Sequence, residues 1–389
     1  MTGIEEKARI WAEIDLDALI FNFRQAQKRA GSAKTLAVLK ADAYGHGAVQ
    51  CARALEKAGA DYFAVAAPEE GLQLRAAGIR TPVLLLGVAP DCMVRELAEN
   101  DIELAVNTLE TAEHFSRLAD GCVVKAHVQL DTGMSRLGLE TFKGVEQAGE
   151  DVIAISRLPN IRLQGLFTHL CVSDTREEDE YTKNQIRLFK ETADYVKAHG
   201  VDIPLCHCAN SAAIIRFPEA QFDMVREGIM LYGVAPDKWM NGLCELQPVM
   251  SLRTRIMQVK TIAAGTTVGY GRTWTAPRDT DVATIGVGYA DGLLRLNSNH
   301  MSMVVHGRRV PQIGRICMDI SMLDVTGVPC ARGDIVTVLG REGDACVSVW
   351  ELTDPVSTIP HEMLCNISKR VPRIYYEGGK AVARTEYIR

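Results

Sequence analysis

Short apolar runs alternate with amphipathic stretches along the chain from about residue 10 to residue 240. The apolar runs predict buried strands of a parallel sheet, and the stretches between them predict the helices that cover it. Two predicted helices, over 48–58 and 181–198, are followed closely by Gly59 and Gly200, and glycine is favoured where a helix ends in a left-handed residue. Eight strands are predicted, over 35–39, 62–65, 83–86, 102–106, 123–130, 163–168, 204–207 and 223–225.

Eight strands with intervening helices fit a (β/α)8 barrel of the TIM type, although an open doubly wound sheet would show the same alternation. The number of strands favours the barrel. Beyond about residue 245 the pattern changes to short β-rich runs, such as 281–287, 303–305 and 334–339, separated by Gly, Pro and Asp turns. We therefore predict an α/β fold with a barrel over 10–243 and a mostly β domain over 244–389, with which residues 1–9 could pack.

Composition and charge indicate a soluble protein that acts on small molecules. Of the 389 residues, 47% are hydrophobic and 24% are charged, which excludes wholesale disorder and a fibrous fold. The formal net charge of −6 gives no general attraction to nucleic acid or to anionic lipid. The first seven residues lack the basic start and apolar core of a secretory signal, and no apolar run approaches the roughly 20 residues that span a bilayer. We predict a cytoplasmic protein without nucleic-acid or membrane partners.

The chain has eleven cysteines and no export signal, so reduced thiols are predicted. The densest group of potential metal ligands is Cys206, His207 and Cys208. A structural zinc site needs four ligands, and alternate residues of a strand point to opposite faces. No metal site is predicted.

A lysine ends the first predicted strand: the apolar run 35–39 leads directly into Lys40. In a barrel, catalytic side chains lie at the carboxyl ends of the strands. A lysine placed there can attach covalently to an aldehyde cofactor and can serve as a base. The alternative is a lysine that simply ends a strand in solvent, and periodicity alone favours that alternative.

The segment from Ala37 to Gly47 closely resembles the pyridoxal-phosphate attachment motif of the alanine racemases. Further segments that resemble this family occur along nearly the whole chain, at 131–136, 168–169, 207–211, 226–229, 270–271, 288–292, 315–319 and 370–373. The resemblance implies a pyridoxal 5'-phosphate barrel followed by a β domain. It also implies a head-to-tail homodimer whose sites use residues from both chains.

The resemblance implies that Lys40 carries the cofactor. It implies further cofactor contacts from Tyr44, His169, Asn210, Ser211, Arg226, Gly228, Ile229 and His361. Arg226 would face the pyridine nitrogen with support from His207, and a permanently protonated donor there weakens the cofactor as an electron sink and limits side reactions. Without the resemblance, the pair Asn210 and Ser211 indicates a helix cap as readily as a ligand contact. A single histidine near an apolar strand, such as His169 or His207, would be expected to be a core residue.

Racemisation requires a proton to leave one face of Cα and return to the other, so two acid–base groups on opposite sides are the simplest arrangement. The resemblance implies that Lys40 acts on the D-isomer and Tyr270 of the partner subunit acts on the L-isomer. It implies that Arg136 and the backbone N–H of Met318 hold the substrate carboxylate. The corridor to the site would be lined by Asp174, Tyr289, Arg295 and Arg315. Without the resemblance, Tyr270 would be expected to be an aromatic residue of a turn between two glycines. The charged residues of the corridor would be expected to lie in solvent at the surface.

Two positions depart from the family pattern. Gln129 stands where many relatives have a carbamylated lysine, and since a neutral amide cannot supply that negative charge, we hypothesise a chloride-like anion near Arg136 and Gln129. His361 stands where the family has a tyrosine that narrows the substrate pocket. Because imidazole is smaller than phenol, the pocket is predicted to be wider and to admit serine.

The function predicted from the sequence is the interconversion of L- and D-alanine by a pyridoxal-phosphate-dependent racemase. The alternatives are a broad-specificity or serine racemase, a decarboxylase on the same barrel, and a carrier of the cofactor without turnover. Tyr270 and the segment 317–319 favour a racemase over a decarboxylase, and the β domain argues against a carrier, since carriers resemble the barrel alone. Whether the enzyme would supply D-alanine for cell walls or break alanine down stays open.

Overall fold

The computed structural model describes residues 8–388, which form two compact units. The barrel unit consists of residues 20–43 and 48–247. The β unit consists of residues 44–47, 248–388 and the described residues up to 19. Within residues 8–388, no helix is both long enough and apolar enough to cross a membrane.

Eight parallel strands form the sheet of the barrel unit, and they follow strand β1 (Ile10–Asp15) in the chain. They are β2 (Lys34–Val38), β3 (Tyr62–Val65), β4 (Val83–Leu85), β5 (Ile102–Val106), β6 (Val124–Asp131), β8 (Ile161–Phe167), β9 (Leu205–His207) and β10 (Met224–Glu227), with a short β7 (Leu139–Glu140) paired to β6. All eight predicted strands are confirmed, with boundaries within two residues of the prediction. Most of their residues are buried, as expected for parallel strands covered on both faces.

The barrel sheet closes nearly completely on itself. Its order is β10-β2-β3-β4-β5-β6-β8-β9, so the first and last strands of the unit are neighbours. The remaining gap between β9 and β10 is bridged by backbone hydrogen bonds. The Asp223 N–H donates to the Cys206 carbonyl at 3.0 Å, and the Arg226 N–H donates to the Ala209 carbonyl at 2.9 Å. The barrel prediction is therefore confirmed over the open doubly wound sheet.

Helices alternate with these strands, and they are α1 (Leu16–Ala30), α2 (Lys40–Tyr44), α3 (Ala48–Lys57), α4 (Pro68–Ala76), α5 (Val94–Glu99), α6 (Leu109–Leu118), α7 (Val145–Ser156), α8 (Asp179–Ala198) and α9 (Ser211–Arg216). Helix α3 shows how the pattern works, because Ala48, Cys51, Ala52 and Leu55 are buried at spacings of three and four residues, on one face. The glycines after α3 and α8 have φ angles of 86° and 80°, the left-handed values predicted for them.

A ten-stranded sheet forms the core of the β unit, in the order β19-β18-β15-β16-β17-β14-β11-β1-β20-β21. Strands after β10 are β11 (Met250–Ile262), β12 (Thr267–Val268), β13 (Trp274–Thr275), β14 (Thr280–Ile285), β15 (Ser302–Val305), β16 (Arg308–Ile313), β17 (Ser321–Asp324), β18 (Ile335–Glu342), β19 (Ala345–Val347), β20 (Arg373–Glu377) and β21 (Lys380–Thr385), and two helices, α10 (Val349–Thr353) and α11 (Pro360–Cys365), lie between β19 and β20. The mostly β character predicted for this region is confirmed. Strand β1, which the sequence did not predict, pairs with β11 and β20 and so joins the start of the chain to this sheet.

Candidate active site

Lys40 lies two residues beyond Val38, the last residue of strand β2, at the carboxyl end of the barrel sheet. The next four residues, Ala41 to Tyr44, have φ angles of 51° to 54°, so the chain makes one left-handed helical turn. A left-handed conformation costs an L-residue roughly 1–2 kcal/mol, and none of the four residues is glycine. The Ala43 N–H donates to the Leu39 carbonyl at 2.8 Å within this turn. Lys40 is therefore held between a regular strand and a strained turn.

Two carboxylates of the barrel unit hold this turn. Glu70 accepts a hydrogen bond from the Ala41 N–H at 2.6 Å through Oε1, and its Oε2 accepts from the N–H groups of Ala66 and Ala67 at 2.9 and 3.1 Å. Asp42 accepts from the Ala48 N–H at 2.8 Å. Sequence reasoning missed Glu70. Its position in the first turn of α4, where an acidic residue can reach back to a preceding N–H, was the available signal.

Arg226 is buried on β10, and both of its terminal nitrogens donate hydrogen bonds to acceptors of the protein. Its Nη1 donates to the His207 Nδ1 and carbonyl oxygen at 3.0 and 2.9 Å, and its Nη2 donates to the carbonyls of Thr168 and Cys208 at 2.7 and 3.1 Å. The four Nη protons thus have acceptors, whereas no acceptor for Nε–H occurs within residues 8–388. Burial lowers the pKa of Arg226 to about 10, so the guanidinium stays protonated near pH 7. One donor remains for an acceptor from outside the protein.

His169 lies just beyond β8, where several positive charges meet. Burial, followed by the charges of Arg226, Arg136 and Lys40, lowers the pKa of His169 to about 3. The imidazole is therefore neutral at pH 7. The structure brings these four predicted site residues together in the barrel unit, and the concentration of positive charge suits an anionic ligand.

Ser211 is oriented as a donor near the carboxyl end of β10. Its Oγ accepts from the N–H groups of Gly228 and Met230 at 2.9 and 3.4 Å, so its own proton remains available to an acceptor. Asn210 caps α9 by accepting a hydrogen bond from the Ala213 N–H at 3.0 Å. Its side-chain oxygen also accepts from the Ser173 hydroxyl, and its side-chain nitrogen donates to the Leu170 carbonyl. The capping role that the sequence left open for Asn210 is therefore present. Ile229 follows at the start of a buried turn over 229–232.

The loop that carries Arg136 is shaped by Asp131, at the end of β6. The Asp131 carboxylate accepts from the N–H groups of Gly133 and Ser135, both at 3.0 Å. Arg136 is exposed on this loop, whereas Gln129 is buried two residues before Asp131. Within the same unit, burial raises the pKa of Asp174, and the nearby Asp237 carboxylate adds to this effect.

The remaining predicted cofactor residues, Tyr44 and His361, lie together in the β unit. Their ring centroids are 5.9 Å apart and the ring planes are inclined by 48°. Burial, with a smaller contribution from Cys365, raises the pKa of Tyr44, so its hydroxyl stays protonated. Gly45, with φ of 81°, passes so close to the Leu364 carbonyl that a Cβ would overlap it, which explains the glycine of the motif.

The predicted catalytic Tyr270 is 70% exposed in the β unit, on a turn between Gly269 and Gly271. A Cβ at Gly271 would lie 3.3 Å from the guanidinium carbon of Arg315, so this turn rests against Arg315. The Tyr289 N–H donates to the Cys317 carbonyl at 3.0 Å, which is next to Met318.

Arg295 lies near the same segment. Burial raises the pKa of Cys317, and the positive charge of Arg295 partly offsets that rise. The structure thus groups five predicted residues around the segment 315–319 of the β unit: Tyr270, Tyr289, Arg295, Arg315 and Met318. Among residues 8–388, no group of three or more His, Cys, Asp or Glu side chains is placed to hold a metal ion.

Two family models match successive parts of the chain. The model described as "Alanine racemase, N-terminal domain" matches residues 14–236, and the model described as "Alanine racemase, C-terminal domain" matches residues 249–375. This chain belongs to the alanine racemase family.

Individual alanine racemases resemble the chain over nearly its whole length. An alanine racemase from Halothermothrix orenii is 42% identical over 369 residues, which cover 94% of this chain and 96% of that protein. The structure of an alanine racemase from Clostridium difficile 630 has a TM-score of 0.93 at 36% identity and covers 98% of this chain and 99% of its own. An alanine racemase from Bartonella henselae with covalently bound pyridoxal phosphate has a TM-score of 0.84 at 31% identity, covering 95% of this chain and 100% of its own.

Members of the alanine racemase family are isomerases that use pyridoxal phosphate, so this chain is an enzyme of that class. The residues of the barrel unit fit the cofactor. Lys40 offers an amine for covalent attachment, the Arg226 Nε–H has no protein acceptor within residues 8–388, and the Ser211 hydroxyl proton suits a phosphate oxygen.

Proposed function

We propose that this alanine racemase family member interconverts L-alanine and D-alanine with pyridoxal phosphate attached at Lys40. The observation that carries the proposal lies at the carboxyl end of the barrel sheet. There Arg226 Nη2 is 3.4 Å from His169 Nδ1, and the charges of Arg226, Arg136 and Lys40 help burial to lower the pKa of His169. That arrangement supplies an amine, a donor for a carboxylate and a donor for a ring nitrogen in one place. The assignment of each residue to its role is part of the proposal.

When bound, pyridoxal phosphate supplies the conjugated electron sink that makes the Cα proton of an amino acid removable. The Lys40 amine takes or returns that proton on one face of Cα. On the other face the phenolic oxygen of Tyr270 of the partner subunit takes the proton as the phenolate and returns one as the hydroxyl. Arg136 and the backbone N–H of the partner's Met318 hold the substrate carboxylate. Arg226 would donate a hydrogen bond through Nε–H to the ring nitrogen of the cofactor and stay protonated, and the neutral His169 would lie against the ring.

A head-to-tail homodimer follows from the same proposal. Tyr270, Tyr289, Leu296 and Met318 of the β unit are between 41% and 72% exposed, although they are large apolar or aromatic side chains. Exposed groups of this kind mark surfaces that a partner covers. In the proposed dimer, the β unit of each chain covers the barrel site of the other, and Asp174, Tyr289, Arg295 and Arg315 line the corridor to it.

A broader substrate range is the second candidate function. It rests on the pairing of Tyr44 with His361, because the imidazole at this position is smaller than the tyrosine that the family carries there. Serine differs from alanine by one hydroxyl, and a pocket with room for it rejects it only weakly.

The first experiment measures conversion of L-alanine to D-alanine, and the reverse, by the purified protein with pyridoxal phosphate. We expect turnover in both directions in the wild type and none in Lys40→Ala, which should also lose the absorption band of the attached cofactor. Tyr270→Phe should lose racemisation but still exchange the Cα hydrogen of D-alanine with solvent, because Lys40 remains. Absence of turnover in the wild-type protein would refute the proposed function.

The second experiment tests whether a site is built from two chains. Mixing Lys40→Ala and Tyr270→Phe subunits after reversible dissociation should restore about a quarter of the wild-type activity, because half of the dimers formed would be mixed and each mixed dimer has one intact site. Sites contained within one chain would give no recovery. That result would overturn the shared site while leaving the racemase activity in place.

A further inference from the structure

Four buried polar side chains of the barrel unit form one continuous line of hydrogen bonds. Arg226 Nη1 lies 3.0 Å from His207 Nδ1, and His207 Nε2 lies 3.0 Å from His127 Nδ1. The line ends where His127 Nε2 lies 2.8 Å from Glu103 Oε2. All four residues are at most 4% exposed, so solvent does not contribute to the line. Neither Glu103 nor His127 belongs to the site inferred from the family resemblance.

The chemistry of arginine fixes the direction of every bond in this line. A guanidinium has donors only, so His207 Nδ1 must accept from Arg226 and carry no proton. His207 is therefore protonated on Nε2 and donates to His127 Nδ1. His127 is in turn protonated on Nε2 and donates to Glu103. Both imidazoles are neutral and have the same tautomer, with a cation at one end of the line and a carboxylate acceptor at the other.

Two residues of β8 pack directly against the two histidines of the line. Gly165 on β8 is paired beside His127, and a Cβ at that position would overlap His127 Nδ1, the atom that accepts from His207. The Phe167 ring stacks on His207 with centroids 5.2 Å apart and planes inclined by 5°. In apolar surroundings, the hydrogen bonds of such a network are stronger when every donor and acceptor in it has a partner. Burial, followed by the nearby charge of Arg226, also lowers the pKa of His207 well below its usual range, which keeps that ring neutral.

We propose that Glu103 is a positioning residue of the racemase, the buried counter-charge that orients Arg226 through His127 and His207. The line fixes one terminal nitrogen of the guanidinium and so directs the remaining Nε–H. The consequence for catalysis rests on the proposed role of Arg226 at the ring nitrogen. The tautomers of the two histidines do not depend on that role.

The first test is nuclear magnetic resonance of the holoenzyme labelled with 15N-histidine. In the wild type, we expect His127 and His207 each to be protonated on Nε2 alone. Glu103→Gln keeps an acceptor oxygen without the charge, so both tautomers should persist. Glu103→Leu removes the acceptor, and the His127 signal should change. Detection of a proton on His207 Nδ1 in the wild type would overturn the proposed line, even if the enzyme racemises alanine.

The second test uses the absorption spectrum of the bound cofactor together with alanine kinetics. Glu103→Gln should shift the spectrum and lower kcat roughly tenfold, and Glu103→Leu roughly a hundredfold, with KM for alanine changed less than about twofold. Glu227→Gln is the matched control, since it alters a buried carboxyl adjacent to Arg226 that has no part in the line. A Glu103→Gln enzyme with wild-type spectrum and kcat would overturn the proposal, and that variant decides the matter if Glu103→Leu does not fold. Wild-type protein without racemisation would instead refute the proposed function.

Discussion

The Glu70 Oε1 atom accepts a hydrogen bond from the Ala41 N–H at 2.6 Å, on the peptide group that directly follows Lys40. Because the other oxygen of Glu70 accepts from Ala66 and Ala67, one carboxylate joins the chain beyond β2 to the chain beyond β3. Glu70 therefore controls where the turn after Lys40 begins.

Replacing Glu70 by Gln should loosen this turn, because the amide nitrogen cannot accept from the N–H groups that face it. We expect a loss of roughly 1–3 kcal/mol in the free energy of unfolding and a weaker affinity for pyridoxal phosphate. Urea denaturation and a cofactor titration would measure the two effects. Glu69→Gln, at the exposed neighbouring position, is the control, and equal behaviour of the two variants would contradict the role given to Glu70.

The left-handed turn predicts an unusual response to glycine. Ala41→Gly should raise the free energy of unfolding by about 1 kcal/mol, since glycine adopts a positive φ without the penalty that alanine has. Ala54→Gly, in the right-handed helix α3, should lower it by about 1 kcal/mol. Thermal or urea denaturation of both variants would check the opposite signs. Destabilisation by both would show that the turn stores no strain at Ala41.

Glu227 is fully buried on β10, and neither of its carboxyl oxygens has a hydrogen-bond partner within residues 8–388. Burial raises the pKa of Glu227 well above its usual range, so the folded protein keeps a proton that the unfolded chain releases. The contribution of Glu227 to the free energy of unfolding should therefore be most favourable below its unfolded pKa of about 4.5 and should fall as pH rises above that value.

Glu227→Gln should remove this dependence. Its free energy of unfolding should exceed that of the wild type by an amount that grows with pH above about 4.5, at up to about 1.4 kcal/mol per pH unit. Urea denaturation between pH 5 and pH 8 would measure the difference. Glu219→Gln, at an exposed position of the same unit, should show no such growth. A constant difference between Glu227→Gln and the wild type would contradict the prediction.

His361 should set the preference between alanine and serine. We expect measurable serine racemisation by the wild type, and His361→Tyr should lower the ratio of kcat/KM for serine to that for alanine roughly tenfold. His300→Tyr, at an exposed position of the β unit, should leave the ratio unchanged. Serine turnover negligible beside alanine turnover in the wild type would refute the wider pocket.

An anion bound near Gln129 and Arg136 should support the activity of the enzyme. Wild-type activity should fall several-fold in chloride-free buffer, whereas Gln129→Glu supplies its own negative charge and should be insensitive to chloride. Crystals soaked in bromide should show an anomalous scattering peak near these two residues. Density for water alone at this position would refute the hypothesis.

Local patterns were sufficient to predict the barrel. Its eight strands are short buried runs bounded by turn residues, and this signal depends on neighbouring residues only. Strand β1 was missed because Ile10 to Asp15 pair with residues more than 230 positions away, and nothing local distinguishes them from the start of a helix. The left-handed turn was missed for a similar reason. Ala41 and Ala43 do not favour that conformation, and distant partners such as Glu70 hold it in place.

The residues of the candidate site also differ in whether the sequence could identify them. Residues inside recognisable motifs, such as Lys40 and Arg226, could be named from the resemblance. Glu103 and His127 could not, because Glu103 is a single polar residue on the otherwise apolar β5 and His127 is one of four polar residues that alternate along β6. Their connection to Arg226 depends on barrel closure, which places β5, β6, β9 and β10 around one interior.

Closure of the barrel also determines at which stage of protein synthesis the site can form. Lys40 follows the first barrel strand and Arg226 lies on the last, and these strands pair with Arg226 opposite Leu36. A polypeptide still emerging from the ribosome therefore has its lysine long before it has the arginine. The complete set of cofactor contacts would exist only after synthesis and folding of the barrel unit, and a chain truncated before β10 would lack Arg226, the proposed donor to the ring nitrogen.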